Sequence, residues 1–322
     1  MMHTNSKANG ADQTSVTARS EGVSGGSMIL PWAWSASKQA DTRLKLRLQF
    51  VLAALRARSV SRRLASANAD SPIGQLMAES PETVGTLLWP YQCAAWDAEM
   101  RFSRIAEHLN TVRQVPGLSL APLEKLVIAD LSSISPEVCV IVDRAPWLER
   151  EGHLTLSLFK KDFRAFTVSF SLFGDTQPAL FIGGLQGRQS EDILELYRDL
   201  TKDFQGMRPR DFLLEMLRLF AVKIGIRHIY AVADEHKISR HRYFAGKEAG
   251  GFSYNDVWLE RGASRVAPTH FELPLAGSRR PLNEVSAKKR SMYRRRYEML
   301  DAIEAALPSD LTTAERRHFD AR

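Results

Sequence analysis

Two short stretches hold the residue types that do chemistry near neutral pH. The first is "ADEHKISRHRYF" (233–244), where Asp234, Glu235, His236, Arg240, His241 and Arg242 gather at the end of "IRHIYAVAD" (226–234), which reads as a strand. Imidazole titrates near neutrality and an adjacent carboxylate can orient it, so His236 with Asp234 or Glu235 could act as a general base. Arg240 and His241 could hold an anionic substrate group. The competing reading is a set of solvated loop residues. A spacing of five does not put His236 and His241 on one helix face, and Cys93 and Cys139 stand apart from any Cys/His cluster, so no metal site is expected.

The second stretch is "FIGGLQGRQSED" (181–192), an apolar run ending at Gly183-Gly184, followed by Leu185, Gln186, Gly187 and Arg188. A helix N-terminus offers free N–H groups and a positive dipole end, so Gln186, Gly187 and Arg188 could hold a phosphate there. Ser190, Glu191 and Asp192 fit the other reading, in which a cap and two acids complete the first helical turn and the glycines only let protein pack on protein. The stretch is neither a Walker loop nor GxGxxG.

Positioning these residues needs a sheet and helices. "EVCVIVD" (137–143), "HLTLSLF" (153–159), "AFTVSFSLF" (165–173) and "PALFIGGLQG" (178–187) read as an antiparallel meander. In the third, Phe166, Val168, Phe170 and Leu172 alternate with Thr167, Ser169 and Ser171, the period of a half-buried strand. Ile193, Leu196, Tyr197, Leu200 and Phe204 mark an amphipathic helix, and 212–222 reads as a buried one, with Pro209 in its first turn and Gly225 at its end. "NDVWLER" (255–261) and "HFELPL" (270–275) read as further strands.

Helices flank this core. Trp96, Met100, Ile105 and Leu109 suggest the buried side of one, on which His108 is read as a satisfied helix residue. Leu44, Leu48, Val51 and Leu55 form a stripe among seven basic residues from Arg43 to Arg63. Such a helix either packs its leucines on the core or lies on an anionic membrane. A basic tail from 279 carries a Tyr293, Tyr297, Leu300, Leu307 stripe that should dock, and its arginines make nucleic acid a third class of partner. The expected organisation is a segment 1–27 without structure, a helical region 28–136, an α+β core 137–278 and a basic helix and tail 279–322. The fold class is α+β, with a mixed, mostly antiparallel sheet flanked by helices.

Composition sets the limits. The chain has 322 residues, 44% hydrophobic and 25% charged, with formal net charge +7, which favours an acidic partner. Two cysteines are too few for a disulfide framework and fit a reducing, cytoplasmic compartment. No apolar core for a secretory signal is found in the first 27 residues, no spanning run occurs, and Met28 is a second candidate start.

The stretches "WLEREGHLTLSLF", "FIGGLQGR", "LTKDFQGMRPRDFLLEMLRLF", "IYAVADEHKISRHRYF", "YNDVWLERGA" and "AKKRSMYRRRYEMLDAI" resemble the VirK/YbjX family of Gram-negative bacteria, in the same order from roughly 85 to 307. That resemblance implies a role in virulence, resistance to antimicrobial peptides and the outer envelope, in a family of unknown biochemical function with no catalytic set to carry over. The order of meander, glycine-bearing strand end, helix and returning strand also resembles GNAT-type acyltransferases. This implies an N- or O-acyltransferase with CoA or acyl carrier protein phosphopantetheine held at Gln186, Gly187 and Arg188. Two features depart from that pattern: Gln186 is followed at +3 by Gln189 rather than glycine, and two helices precede the returning strand. The rival is a non-enzymatic adaptor on an anionic membrane surface, peripheral to the inner membrane.

Overall fold

The structure, a computed structural model, describes residues 29–40, 43–122, 124–188, 192–244 and 252–318. The N-terminal part is helical: α1 (Ile29–Ala40), α2 (Leu44–Arg56), α3 (Arg58–Ala65), α4 (Pro72–Glu79), a 3₁₀ turn at Pro81–Leu87, and α5 (Ala98–Gln114). Then come β1 (Glu124–Asp130), β2 (Val138–Asp143), β3 (Leu154–Lys160), β4 (Phe163–Phe173) and β5 (Ala179–Gly187), with α6 (Ile193–Asp203) and α7 (Pro209–Lys223) leading to β6 (His228–Val232). The chain closes with α8 (Tyr254–Glu260), β7 (Ser264–Ala267), β8 (His270–Leu273), α9 (Ala287–Ala306) and β9 (Arg316–His318).

All these strands join one sheet, in the order β7-β8-β6-β5-β4-β3-β2-β1-β9. Among the described residues β5 and β6 are its parallel pair, and the other neighbours run antiparallel. The crossover through α6 and α7 makes that pair possible, because parallel neighbours need a long connection. The sheet draws β1 and β9 from outside the expected 137–278 stretch.

The meander forms as its alternation predicts. Phe166, Val168, Phe170 and Leu172 lie in the core that α7 closes with Phe212, Met216 and Phe220, the Phe170 and Phe220 rings meeting edge to face at 6.4 Å. The expectation of a half-buried strand is corrected, because Thr167, Ser169 and Ser171 are buried too. The segment around Tyr91 and α5 cover that polar face. Tyr91 Oη lies 2.6 Å from both Ser171 Oγ and His153 Nδ1, while Leu172 donates its N–H to His108 Nδ1 (3.1 Å). The alternation therefore records a buried polar layer, in which Ser157 partners Thr167 and Tyr91 partners Ser171 while Ser169 Oγ is left without a hydrogen bond of good geometry.

Burial and Arg144 push His153 down to about 3, and burial, with His153 beside it, lowers His108 well below the usual imidazole range. Both rings stay neutral in the fold while an unfolded histidine protonates near 6.5, so their contribution is complete above that pH and is lost as pH falls toward 3. Urea midpoints should drop across that range, and His153→Gln should flatten the drop.

Other expectations are corrected. "NDVWLER" is helix α8, capped by Ser253 Oγ on the Asp256 N–H (3.3 Å), because Tyr254, Val257 and Trp258 repeat at i, i+3 and i+4 and are buried together. In α2 the buried residues are Phe50, Val51 and Ala54, whereas Leu44 and Leu48 face solvent. Met100 is exposed while Ile105 is buried. The basic tail makes a 3₁₀ turn at Leu282–Glu284 and is α-helical from Ala287, and it docks through Leu300, Ile303 and Leu307, with Tyr293 and Tyr297 half-buried beside them.

Candidate active site

The glycines at 183 and 184 answer to protein. The turn 146–152 presses onto the sheet there, with Gly152 against the backbone of Phe170 and the Glu151 carbonyl against Gly183. A Cβ on Gly183 would meet Glu151 O at 2.1 Å, and one on Gly184 would meet Glu151 Oε2 at 1.8 Å. Gly183 is also the extra residue of a β-bulge, since Ser169 pairs with Gly184 and Phe170 with Ile182. Gln92 braces the turn from below: its N–H donates to Arg150 O (2.7 Å) and its amide to Phe181 O (3.0 Å), with φ at +53°. A glutamine held in the left-handed region marks a place where surrounding structure fixes the backbone against its preference.

Glu151 is the product of this packing. Its Oε1 accepts a hydrogen bond from Gln186 Nε2 at 2.5 Å. Oε2 is sealed from solvent against Gly184, and neither it nor the neighbouring Ser169 Oγ makes a hydrogen bond of good geometry. Burial raises the carboxyl to about 7, against the pull of Gln186 and Ser169. Desolvation disfavours the charged form, and among the described residues the opposing pull comes from the Gln186 and Ser169 side chains. A carboxyl poised there can give or take a proton at physiological pH.

Glu151 also lines a cavity of about 470 Å³. Its walls are apolar and aromatic, from Trp89, Trp147, Ile238 and Phe244, with the carboxylates of Glu82 and Glu149 beside Glu151 and one cation, Arg150. The Arg150 guanidinium is caged by the rings of Trp89 (4.8 Å) and Tyr243 (5.1 Å). Burial raises Glu149 as well, with Arg144 and Ser80 opposing. Such a lining suits an amphiphilic ligand that carries an amine or hydroxyl.

The residues singled out in the sequence sit around this centre in a different arrangement. Asp234 Oδ1 accepts the Tyr254 N–H (3.0 Å) and Lys237 Nζ (3.0 Å), while Oδ2 faces Arg240 at 3.4 Å. Burial would raise this carboxyl, but those donors hold it below its usual value. Glu235 bonds to Arg265 and to Asn255 (3.0 Å), which bring it down to about 2. Both acids are thus held ionised by other partners, and the half-buried His236 ring has no hydrogen bond to either among the described residues. His241 is pushed to about 4 by burial, Arg101 and Arg242, so it is neutral at pH 7.

Gln186, Gly187 and Arg188 are exposed at the end of β5. The Arg188 N–H donates to Ala165 O (3.3 Å) and Tyr197 Oη (3.1 Å). Ser190 and Glu191 lie outside the described residues. Past Ile182, β5 runs on to Gly187 while β6 ends at Val232, so the two strands part. Helix α8 fills the wedge: Tyr254 Oη accepts the Leu185 N–H (2.8 Å) and donates to Leu185 O (3.0 Å), and Trp258 Nε1 donates to Val232 O (2.9 Å).

Comparison with known proteins adds lineage to this geometry. The family described as "Protein of unknown function (DUF535)" matches residues 37–309. The chain belongs to this family. Among DUF535 relatives, the "Uncharacterized protein YbjX" of Escherichia coli (strain K12) is 32% identical over 211 residues, 64% of this chain and 62% of that protein. The aligned part thus spans under two thirds of that relative's length. Two uncharacterised proteins of Haemophilus influenzae are each 26% identical, over 73% of this chain and 80% of theirs, and over 69% and 75%. The VirK/YbjX likeness read from the motifs is therefore shown. No solved structure matches the chain. Among the described residues no helix is long and apolar enough to cross a membrane.

The sequence reading missed Glu151. It lies in "WLEREGH", where alternating charges look like a solvated turn. The available signal was indirect: a Gly-Gly pair inside an apolar strand means that something approaches closely.

Proposed function

We propose that this DUF535 protein is an enzyme that transfers an acyl group to an amine or hydroxyl acceptor, with Glu151 as general base. The observation that carries the reading is Glu151 itself, a residue in the wall of an aromatic, acidic cavity whose carboxyl burial raises to about 7. An acceptor amine enters as a cation drawn by Glu82 and Glu149. Glu151, oriented by Gln186, takes the proton and frees the nitrogen lone pair to attack the acyl carbon of an ester donor; the C–N bond forms, the acyl–oxygen bond breaks, and Glu151 returns the proton to the departing oxygen. The VirK/YbjX likeness supports an envelope-related acceptor and, through it, a part in virulence and peptide resistance. A meander, a glycine-bearing strand and a parallel returning strand support the reaction class.

A pantetheine thioester does not fit as donor in this form. The Arg188 N–H that would meet its phosphate is taken by Ala165 and Tyr197, and the free edge of β5 is taken by Tyr254. No step is therefore derived through CoA or an acyl carrier protein.

The test is acylation of a hydrophobic amine by p-nitrophenyl esters of graded chain length, read by mass spectrometry. Product should form with a rate that rises through pH 7, fall by about 10²–10⁴ in Glu151→Gln, and persist in His236→Ala. Loss in His236→Ala with retention in Glu151→Gln would return the base to His236. Absence of amine-dependent product with every donor, acyl-CoA included, would remove acyl transfer.

A further inference from the structure

Helix α2 presents Leu44, Leu48 and Leu52 to solvent, 62%, 51% and 53% exposed, in one line at i, i+4 and i+8. On α1 the exposed Leu30 and Trp34 repeat the same spacing, and the Arg47 guanidinium sits 4.6 Å over the Trp34 ring, which ties the two stripes together. None of the large exposed hydrophobic residues lies on basic helix α9, so cationic charge and bare apolar surface coincide here and not there.

Leu52 also lines a second cavity, of about 880 Å³, beneath α2. Lys45, Arg56, Arg101 and Arg242 line it too. Two carboxylates face them, and both are engaged: Asp97 caps α5 by accepting the Met100 N–H (2.8 Å), and Glu99 pairs with Arg63. Arg101 is only 6% exposed, yet it forms no ion pair among the described residues. Its NH1 donates to Thr86 O (3.2 Å), NH2 stands 3.5 Å from His241 Nε2, and Nε has no partner. Asp97 acts on this guanidinium only through space, without a direct ion pair, so its burial is not fully compensated and an anion entering the cavity would offset the cost.

We propose that this face docks on an anionic phospholipid bilayer, with a headgroup phosphate in the Arg101 cavity and the leucines of α2, with Leu30 and Trp34, in the interface. Charge and shape match that occupant: a cationic cavity for the phosphate opens beside an apolar lip for the acyl chains. The site is separate from the Glu151 cavity, and it stands if the acyl-transfer reading fails.

Flotation of the full chain with vesicles tests it. Binding is expected to phosphatidylcholine vesicles containing 30 mol% phosphatidylglycerol and not to phosphatidylcholine alone. Leu48→Asp should weaken it at least tenfold, as should Arg242→Glu, whereas Arg294→Glu on α9 should leave it unchanged. No flotation on the anionic vesicles would overturn the proposal. So would flotation that survives Leu48→Asp, which would mean diffuse charge attraction. Thermal stabilisation by inorganic phosphate without vesicle binding would reassign the cavity to a soluble anion.

Discussion

Glu151→Gln is expected to stabilise the protein above pH 7 while it removes turnover. The carboxyl goes from an ordinary 4.5 to about 7 on folding. Between those values the native state holds a proton that the unfolded chain has released, so this group makes stability fall as pH rises, with the full penalty present above 7. The shift corresponds to a ceiling of about 3 kcal/mol at pH 8 and nothing below pH 4. Glutamine keeps the shape, can accept from Gln186 through its carbonyl, and offers an amide toward Ser169. Urea denaturation at pH 5 and pH 8 should show the gain only at pH 8. The slope is opposite in sign to that of His108 and His153, so the single variants separate the two contributions.

Gly183→Ala is expected to cost about 3 kcal/mol or more, because the new methyl would stand 2.1 Å from Glu151 O and 3.0 Å from Gln92 Cα. Both obstacles are backbone, and both belong to the turn and brace that hold the base. Gly184→Ala meets the Glu151 side chain instead, which can swing aside. It should cost less stability and bring the carboxyl back toward its ordinary value. Guanidinium denaturation of the two variants, with the pH dependence of the second, checks the pair. Equal, small losses in both would mean that the turn is not pressed onto the sheet as described.

The contrast between these glycines shows what the sequence could carry. Strand alternation made β3, β4 and β5 legible, and Pro209 and Gly225 bounded α7, because those signals are local. Helix α8 was misread because a seven-residue helix with Val257-Trp258-Leu259 at its centre looks like a short apolar strand unless Tyr254 and the Ser253 cap are weighed. β1 and β9 went unread: β9 has only three residues, and its partner β1 lies far upstream, Glu124 and Arg316 being 192 residues apart. The site was least legible. Gly183-Gly184 stood out, but its partner Glu151 lies more than thirty residues upstream, and only the folded turn brings them together. Asp234, Glu235 and His236 drew attention by type, yet the acids serve Tyr254, Lys237, Arg265 and Asn255.

The central claim is that packing against Gly183 and Gly184 creates a carboxyl that titrates near neutrality. A ¹³C-carboxylate NMR titration of the folded protein, with Glu151→Gln to assign the resonance, measures it directly. The structure predicts a midpoint of about 7 for Glu151. A midpoint at or below the ordinary glutamate value near 4.5 would contradict it and remove Glu151 as the proton-transfer group.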